Sequence, residues 1–123
     1  LCSPENFGAD INIIKKAKDE GANIVDNILP KDAAKDSNCI VTDTWFSMGD
    51  KEDNAKRKIL ENYQVTNELI NLAKDESIFL HCLPAHRGEE VTEEVIDGDK
   101  SFVWDEAENR VHAQKGIIDW CFS

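Results

Sequence analysis

Apolar residues along this chain keep changing period, and each change marks an element. Ile13, Ile14 and Ala17 recur at helical spacing between about Asp10 and Glu20, and Gly21 is placed to cap the carboxyl end. Asn23 to Leu29, carrying Ile24-Val25 and Ile28-Leu29, reads as a short strand, and Pro30 opens a helical turn over Asp32-Ala33-Ala34-Lys35. A second strand, Cys39-Ile40-Val41-Thr42, stops at Asp43. Helical spacing returns from about Glu52 to Glu61, with Ala55, Ile59 and Tyr63 on the inner face, and again from Thr66 to Ala73. Ile78 to His81 is a strand, and Thr92 caps a short helix over Glu93 to Ile96. Ser101 to Trp104 is the last strand. A final helix runs from Asp105 to about Cys121, with Ala107, Val111, Ile118 and Phe122 at helical spacing.

Strands alternating with helices are most simply parallel and joined by right-handed crossovers. The pattern predicts one domain over residues 1–123, a doubly wound parallel α/β sheet of Rossmann-like type, without repeats or linkers. Parallel strands point their carboxyl ends at one crevice, the edge where ligands bind in open α/β sheets. Asp43, Cys82 and the helix start that bears Arg110 are therefore expected to converge there.

Composition narrows the function classes. Twenty-five acidic residues against 14 basic give a net charge of −11, a surface that repels a phosphate backbone, so nucleic acid is not an expected partner. Glu89-Glu90, Glu93-Glu94 and Asp105-Glu106 crowd helix starts, where acids complement the macrodipole; they read as solvated faces. No apolar run is long enough to span a membrane, and no signal-type leader precedes the first helix. Cys2, Cys39, Cys82 and Cys121 form no C-x-x-C, and Cys39 in its apolar run is expected to be a buried, reduced thiol, which suits a cytoplasmic protein. Leu1-Cys2 reads as the tail of a strand already under way, so the chain is expected to be the carboxyl-terminal part of something longer.

Taken singly, each candidate residue has a plain reading. A lone Cys at a strand end is usually packing, Asp after a strand is usually a turn former, and Arg110 has Glu106 available as an i, i+4 partner. His81, Cys82 and His86 match no common zinc spacing. A Cys-His hydrolase leaves only His112, which reads as a helix-packing residue. No G-x-G-x-x-G or G-x-x-x-x-G-K-[ST] loop is present, and no cofactor is implied.

Three segments change the picture when taken together. Asp43-Thr44-Trp45-Phe46-Ser47-Met48-Gly49, His81-Cys82-Leu83-Pro84, and Trp104-Asp105-Glu106-Ala107-Glu108-Asn109-Arg110-Val111-His112-Ala113-Gln114 resemble the ornithine-binding domain of ornithine carbamoyltransferases. The opening Cys2-Ser3-Pro4-Glu5-Asn6-Phe7 fits as well, so the resemblance spans the whole chain. It implies carbamoyl transfer from carbamoyl phosphate to the δ-amine of ornithine, giving citrulline and phosphate in arginine metabolism. It also implies roles: Asp43 for the α-ammonium, Ser47 and Met48 for the amino-acid end, and Cys82 beside the δ-amine. The carbonyls of Cys82 and Leu83 would face the carbamoyl NH₂, Leu83-Pro84 would be cis, and Arg110 would face the carbonyl oxygen.

Aspartate-using relatives carry Pro where Cys82 stands, and the intact Ser47-Met48-Gly49 favours ornithine over a simple diamine. The family's Ser-Thr-Arg-Thr phosphate loop and Gly-Asp-Gly-Asn-Asn segment are not in this sequence, so the chain alone is expected to be inactive. The resemblance further implies a homotrimer or a multiple of one. Two alternatives are a non-catalytic amino-acid-binding module and a carbamoyltransferase for another amine. An in-frame Ser-Thr-Arg-Thr loop encoded upstream separates the enzyme from the module, and poor ornithine use by the full-length protein would identify the other amine.

Overall fold

A computed structural model describes every residue except Asn27, Met48, Asp50 and Glu52. Its centre is a parallel pair, β1 (Cys39–Thr42) and β2 (Ile78–His81), in register from Cys39 beside Ile78 to Thr42 beside His81. Both strands fall where the apolar runs place them. β1 ends at Asp43 because its carboxylate accepts the Thr44 N–H at 2.7 Å, a local bond that competes with the ladder.

The crossover from β1 to β2 runs through α3 (Asn54–Leu60), a 3-10 turn (Glu61–Tyr63) and α4 (Asn67–Ile70). Before the sheet come α1 (Ile11–Asp19) and α2 (Pro30–Ala34); after it come α5 (Glu93–Ile96) and α6 (Val103–Phe122). Side chains set the starts of α1 and α3, whereas Thr92 stands at the start of α5 without a side-chain cap bond, its hydroxyl buried and unpartnered. Asp10 accepts from Asn12 N at 2.7 Å and Asp53 from Ala55 N at 2.8 Å, satisfying donors that a helix leaves open. The α/β class with a parallel, doubly wound sheet stands as read.

Phe79, in the middle of β2, is fully buried. Val91, Ile96 and Val103 close around it from three later segments, with Ala34, Val65, Leu69, Ile70 and Val95 completing the cluster. Each such side chain contributes about 1.5–3 kcal/mol on burial. Because these residues come from distant parts of the sequence, this cluster holds the strand ends in place.

Several expectations need correction. No strand forms in the described part of Asn23 to Leu29, where Val25 and Leu29 are exposed; strand preference needs a ladder of pairs, and one bond, from the Leu1 amino group to the Val25 carbonyl, is not a ladder. Ser101 to Trp104 is a single parallel bridge, Ser101 beside Phe79, after which the chain turns helical at Val103. Asp105 and Glu106 in the first turn favour that earlier start. In α1 the inner residue is Ile14, with Ile13 exposed; in α3 it is Leu60, with Ala55 exposed and Ile59 46% exposed. The stripe on α6 is exposed throughout, since no element among the described residues lies over it. Cys39 is exposed too, because alternation along β1 turns Cys39 and Val41 outward; all four cysteines are free thiols.

Replacing Phe79 with Ala should lower the unfolding free energy by about 3–5 kcal/mol, the cost of a large cavity in a packed core. Urea unfolding followed by circular dichroism measures it, and a loss below about 1 kcal/mol would place the core elsewhere.

Candidate active site at the strand ends

Register decides the site. Thr42 lies beside His81, so the next residues, Asp43 and Cys82, leave the sheet side by side. The Cys82 thiol donates to Asp43 Oδ1 at 3.0 Å, and the Thr44 N–H donates to the same oxygen. The thiol hydrogen bond, helped by that N–H, holds the Asp43 carboxyl below its ordinary range. The thiol is pushed up, first by giving its proton to Asp43 and then by partial burial and the nearby carboxylates. At neutral pH the pair is thus a carboxylate and a neutral thiol. Such a thiol is a poor nucleophile, which removes the hydrolase reading.

The chain after Cys82 takes an unusual course. Leu83 has φ of +55°, in the left-handed region that a branched side chain rarely adopts, and the Leu83-Pro84 peptide is cis as the resemblance implied. The Leu83 N–H donates to His81 Nδ1 at 2.9 Å. His81 and Glu90 are fully buried, with Nε2 of one 3.3 Å from Oε1 of the other. Glu90 Oε1 also accepts the His86 N–H, while Gly88 N reaches Val91 O at 2.8 Å and closes the turn.

Ser47 is exposed and lines, with Asp43, Trp45 and Lys56, a hollow of about 370 Å³. Lys56 Nζ stands 4.8 Å from the centre of the Phe46 ring, which anchors the segment behind Ser47. Met48 lies outside the described residues. Arg110 is exposed on α6, one turn beyond Glu106. The anticipated Glu106–Arg110 pair is not formed among the described residues, because Glu106 Oε2 accepts the His81 N–H at 3.0 Å and so ties α6 to the end of β2. The structure therefore brings Cys82 against Asp43, with Leu83 next in the chain, and it is Asp43 and Ser47 that line the hollow. Arg110 is not brought to them: among the described residues it has no ion pair or hydrogen bond to any of the four, and it is Glu106 that ties α6 to the end of β2.

Two acids read as solvated in the sequence are otherwise employed. Glu89 pairs with Arg57 at 2.6 Å, and Glu90 is buried beneath the Cys82 loop. The signal was the apolar company of Glu90, which precedes the fully buried Val91. Among the described residues, His86, Glu89 and Glu90 are the group whose ligand atoms lie within 4.8 Å of one another. Arg57 already holds Glu89, and His86 Nδ1 stands 3.1 Å from Thr44 Oγ1.

The sequence profile of the aspartate/ornithine carbamoyltransferase Asp/Orn binding domain matches residues 1–121. The ornithine carbamoyltransferase of Nitrobacter winogradskyi is 58% identical over 121 residues, covering 98% of this chain and 39% of that protein. That of Bradyrhizobium diazoefficiens is 58% identical over 105 residues, covering 85% of this chain and 34% of its own length. Among solved structures, ornithine carbamoyltransferase from Pyrococcus furiosus superposes with a TM-score of 0.86 at 45% identity, over 95% of this chain and 39% of that one. Ornithine transcarbamoylase from Giardia lamblia gives 0.87 at 31% identity, over 97% and 40%. The chain thus spans about two fifths of the length of these proteins.

Removing the negative charge with Asp43→Asn should lower the Cys82 thiol toward its ordinary value and speed its alkylation. Iodoacetamide labelling at pH 8 and 9, read on the Cys82 peptide by mass spectrometry, tests this. The same rate in both proteins would mean that Asp43 does not govern the thiol. The folding consequence has a defined sign: the raised Cys82 favours the fold below the ordinary thiol value and loses that contribution in alkali, while the lowered Asp43 loses its own in acid.

Proposed function

Because the chain belongs to the aspartate/ornithine carbamoyltransferase family, we propose that it is the ornithine-binding domain of an enzyme that carbamoylates ornithine. It supplies the amine side of the site, and a carbamoyl-phosphate domain outside this sequence supplies the phosphate side. The reaction joins the δ-nitrogen to the carbamoyl carbon, breaks the bond from that carbon to the phosphate oxygen, and releases a proton from the nitrogen. The observation that carries the reading is the 3.0 Å contact between the Cys82 thiol and the Asp43 carboxylate at the carboxyl ends of paired strands.

Asp43 takes the α-ammonium through a charge-assisted hydrogen bond, and Ser47 and Met48 hold the amino-acid end. That leaves the δ-amine beside Cys82. A thiol held protonated is a poor base, so Cys82 orients the nitrogen rather than taking its proton. The carbonyls of Cys82 and Leu83 accept from the carbamoyl NH₂ and fix the plane under attack. Arg110 comes to the carbonyl oxygen as α6 approaches the closed site and stabilises the charge that develops there. The family-length enzyme works as a homotrimer or a multiple of it, in the cytoplasm, in arginine metabolism. No helix among the described residues is long and apolar enough to cross a membrane.

The test is kinetic, in the family-length protein. Cys82→Ala should lower kcat about 100-fold, the scale of a misplaced reacting group, with carbamoyl-phosphate binding little changed. Equal loss of both would count against the amine-side role. Asp43→Asn should raise the ornithine KM about 10- to 100-fold, the worth of one charge-assisted hydrogen bond. Separately, the 123-residue chain by itself should form no detectable citrulline; turnover by it would refute the division of labour.

A further inference from the structure

The most costly feature near the site is one that the proposed mechanism leaves unused. An imidazole and a carboxylate, His81 and Glu90, are both 0% exposed. Burying such groups is unfavourable unless their bonds are met, and an apolar pair of similar volume is often at least as stable. Here His81 Nε2 and Glu90 Oε2 have no hydrogen-bond partner. What the pair does hold is the backbone of the loop between them.

We propose that His81 and Glu90 are positioning residues that aim the Cys82 and Leu83 carbonyls, acting through the Leu83 and His86 amides. The inference rests on the ornithine reading above, which places the carbamoyl group against those carbonyls.

The contacts converge on Glu90, with His81 Nε2 and Glu90 Oε1 adjacent but not hydrogen-bonded. Leu83 N–H donates to His81 Nδ1 at 2.9 Å, so Nδ1 is the unprotonated nitrogen and the proton sits on Nε2. Nε2 faces Glu90 Oε1 at 3.3 Å, and the same oxygen accepts the His86 N–H. One buried carboxylate oxygen thus faces both sides of the loop, directly at His86 and through the imidazole at Leu83. Glu90 is itself fixed, since its carbonyl accepts from Val65 N at 2.9 Å. His81 is fixed by β2 and by Glu106.

The backbone between needs that hold. Leu83 at φ +55° holds a left-handed conformation that is unfavourable for a non-glycine residue. Released, it would relax toward the ordinary region and swing the adjoining peptide planes, and with them the two carbonyls. Asp43 and Ser47 are on another loop and would stay in place.

Kinetics of three variants in the family-length enzyme test this, with hydrogen exchange at the Leu83 amide as a readout independent of the reaction. His81→Asn keeps an acceptor at the Nδ1 position, and His81→Gln moves it to the Nε2 distance. H81Q should lose kcat about 100-fold with the ornithine KM near the parent value, and Leu83 should lose its protection. H81N should keep kcat within about tenfold and keep the protection. Equal losses in both variants, a loss in KM alone, or parental kcat in H81Q would overturn the assignment. If H81Q does not fold, Glu90→Gln decides: it keeps an acceptor for His86 and removes the charge facing Nε2. A fall in kcat at unchanged KM supports the role, and parental kcat overturns it. An unsubstituted enzyme that makes no citrulline would sink the ornithine reading alone; exchange at Leu83 would still show whether His81 holds that amide.

Discussion

The parallel register of β1 on β2 is the constraint from which the site follows. With Thr42 beside His81, the carboxylate that ends one strand and the thiol that follows the other meet at hydrogen-bond distance. A slip of one residue would carry one of them about 3.3 Å along the sheet and turn its side chain to the opposite face. Phe79 guards against that slip. It is fully buried in the middle of β2, and its backbone exchanges hydrogen bonds with Lys100 and Phe102, so β2 is fastened on both sides.

Polar contacts then take over from packing where the strands end. β2 finishes at His81, whose amide goes to Glu106 on α6 and whose ring receives the Leu83 amide. One residue thereby links the sheet, the last helix and the strained loop. Surface ion pairs such as Arg87 with Asp97 contribute little by comparison, because water screens both partners. The buried contacts matter because nothing else can satisfy those groups.

The Cys82–Asp43 pair explains why a cysteine here need not be a nucleophile. Its proton is already committed to a carboxylate, which holds the thiol neutral and the acid ionised. Two groups that would suggest hydrolysis if set beside an activating histidine are instead bonded to each other. The nearest buried histidine, His81, turns toward the backbone and Glu90.

Local sequence determined a good deal by itself. The runs Cys39–Thr42 and Ile78–His81 are strands because their apolar, β-prone residues are short and bounded by polar turn formers, and Glu93–Ile96 is helical behind Thr92. Spacing likewise placed Asp43 and Cys82 on one edge, since parallel strands allow no other arrangement. The motifs around Ser47, Leu83 and Arg110 were legible by resemblance, with Met48 outside the described residues. Tertiary structure alone decided burial and pairing. A periodic stripe becomes a core only where another element covers it, which is why Ile14 is inside while Ile13, Val111 and Phe122 are not. It also decided that Ser101 joins the sheet by one bridge, that Cys39 faces outward and that Glu90 is buried beneath a loop. A glutamate reads as solvated until the fold shows a histidine and an amide beside it, for its partner lies across a turn whose path no periodicity encodes.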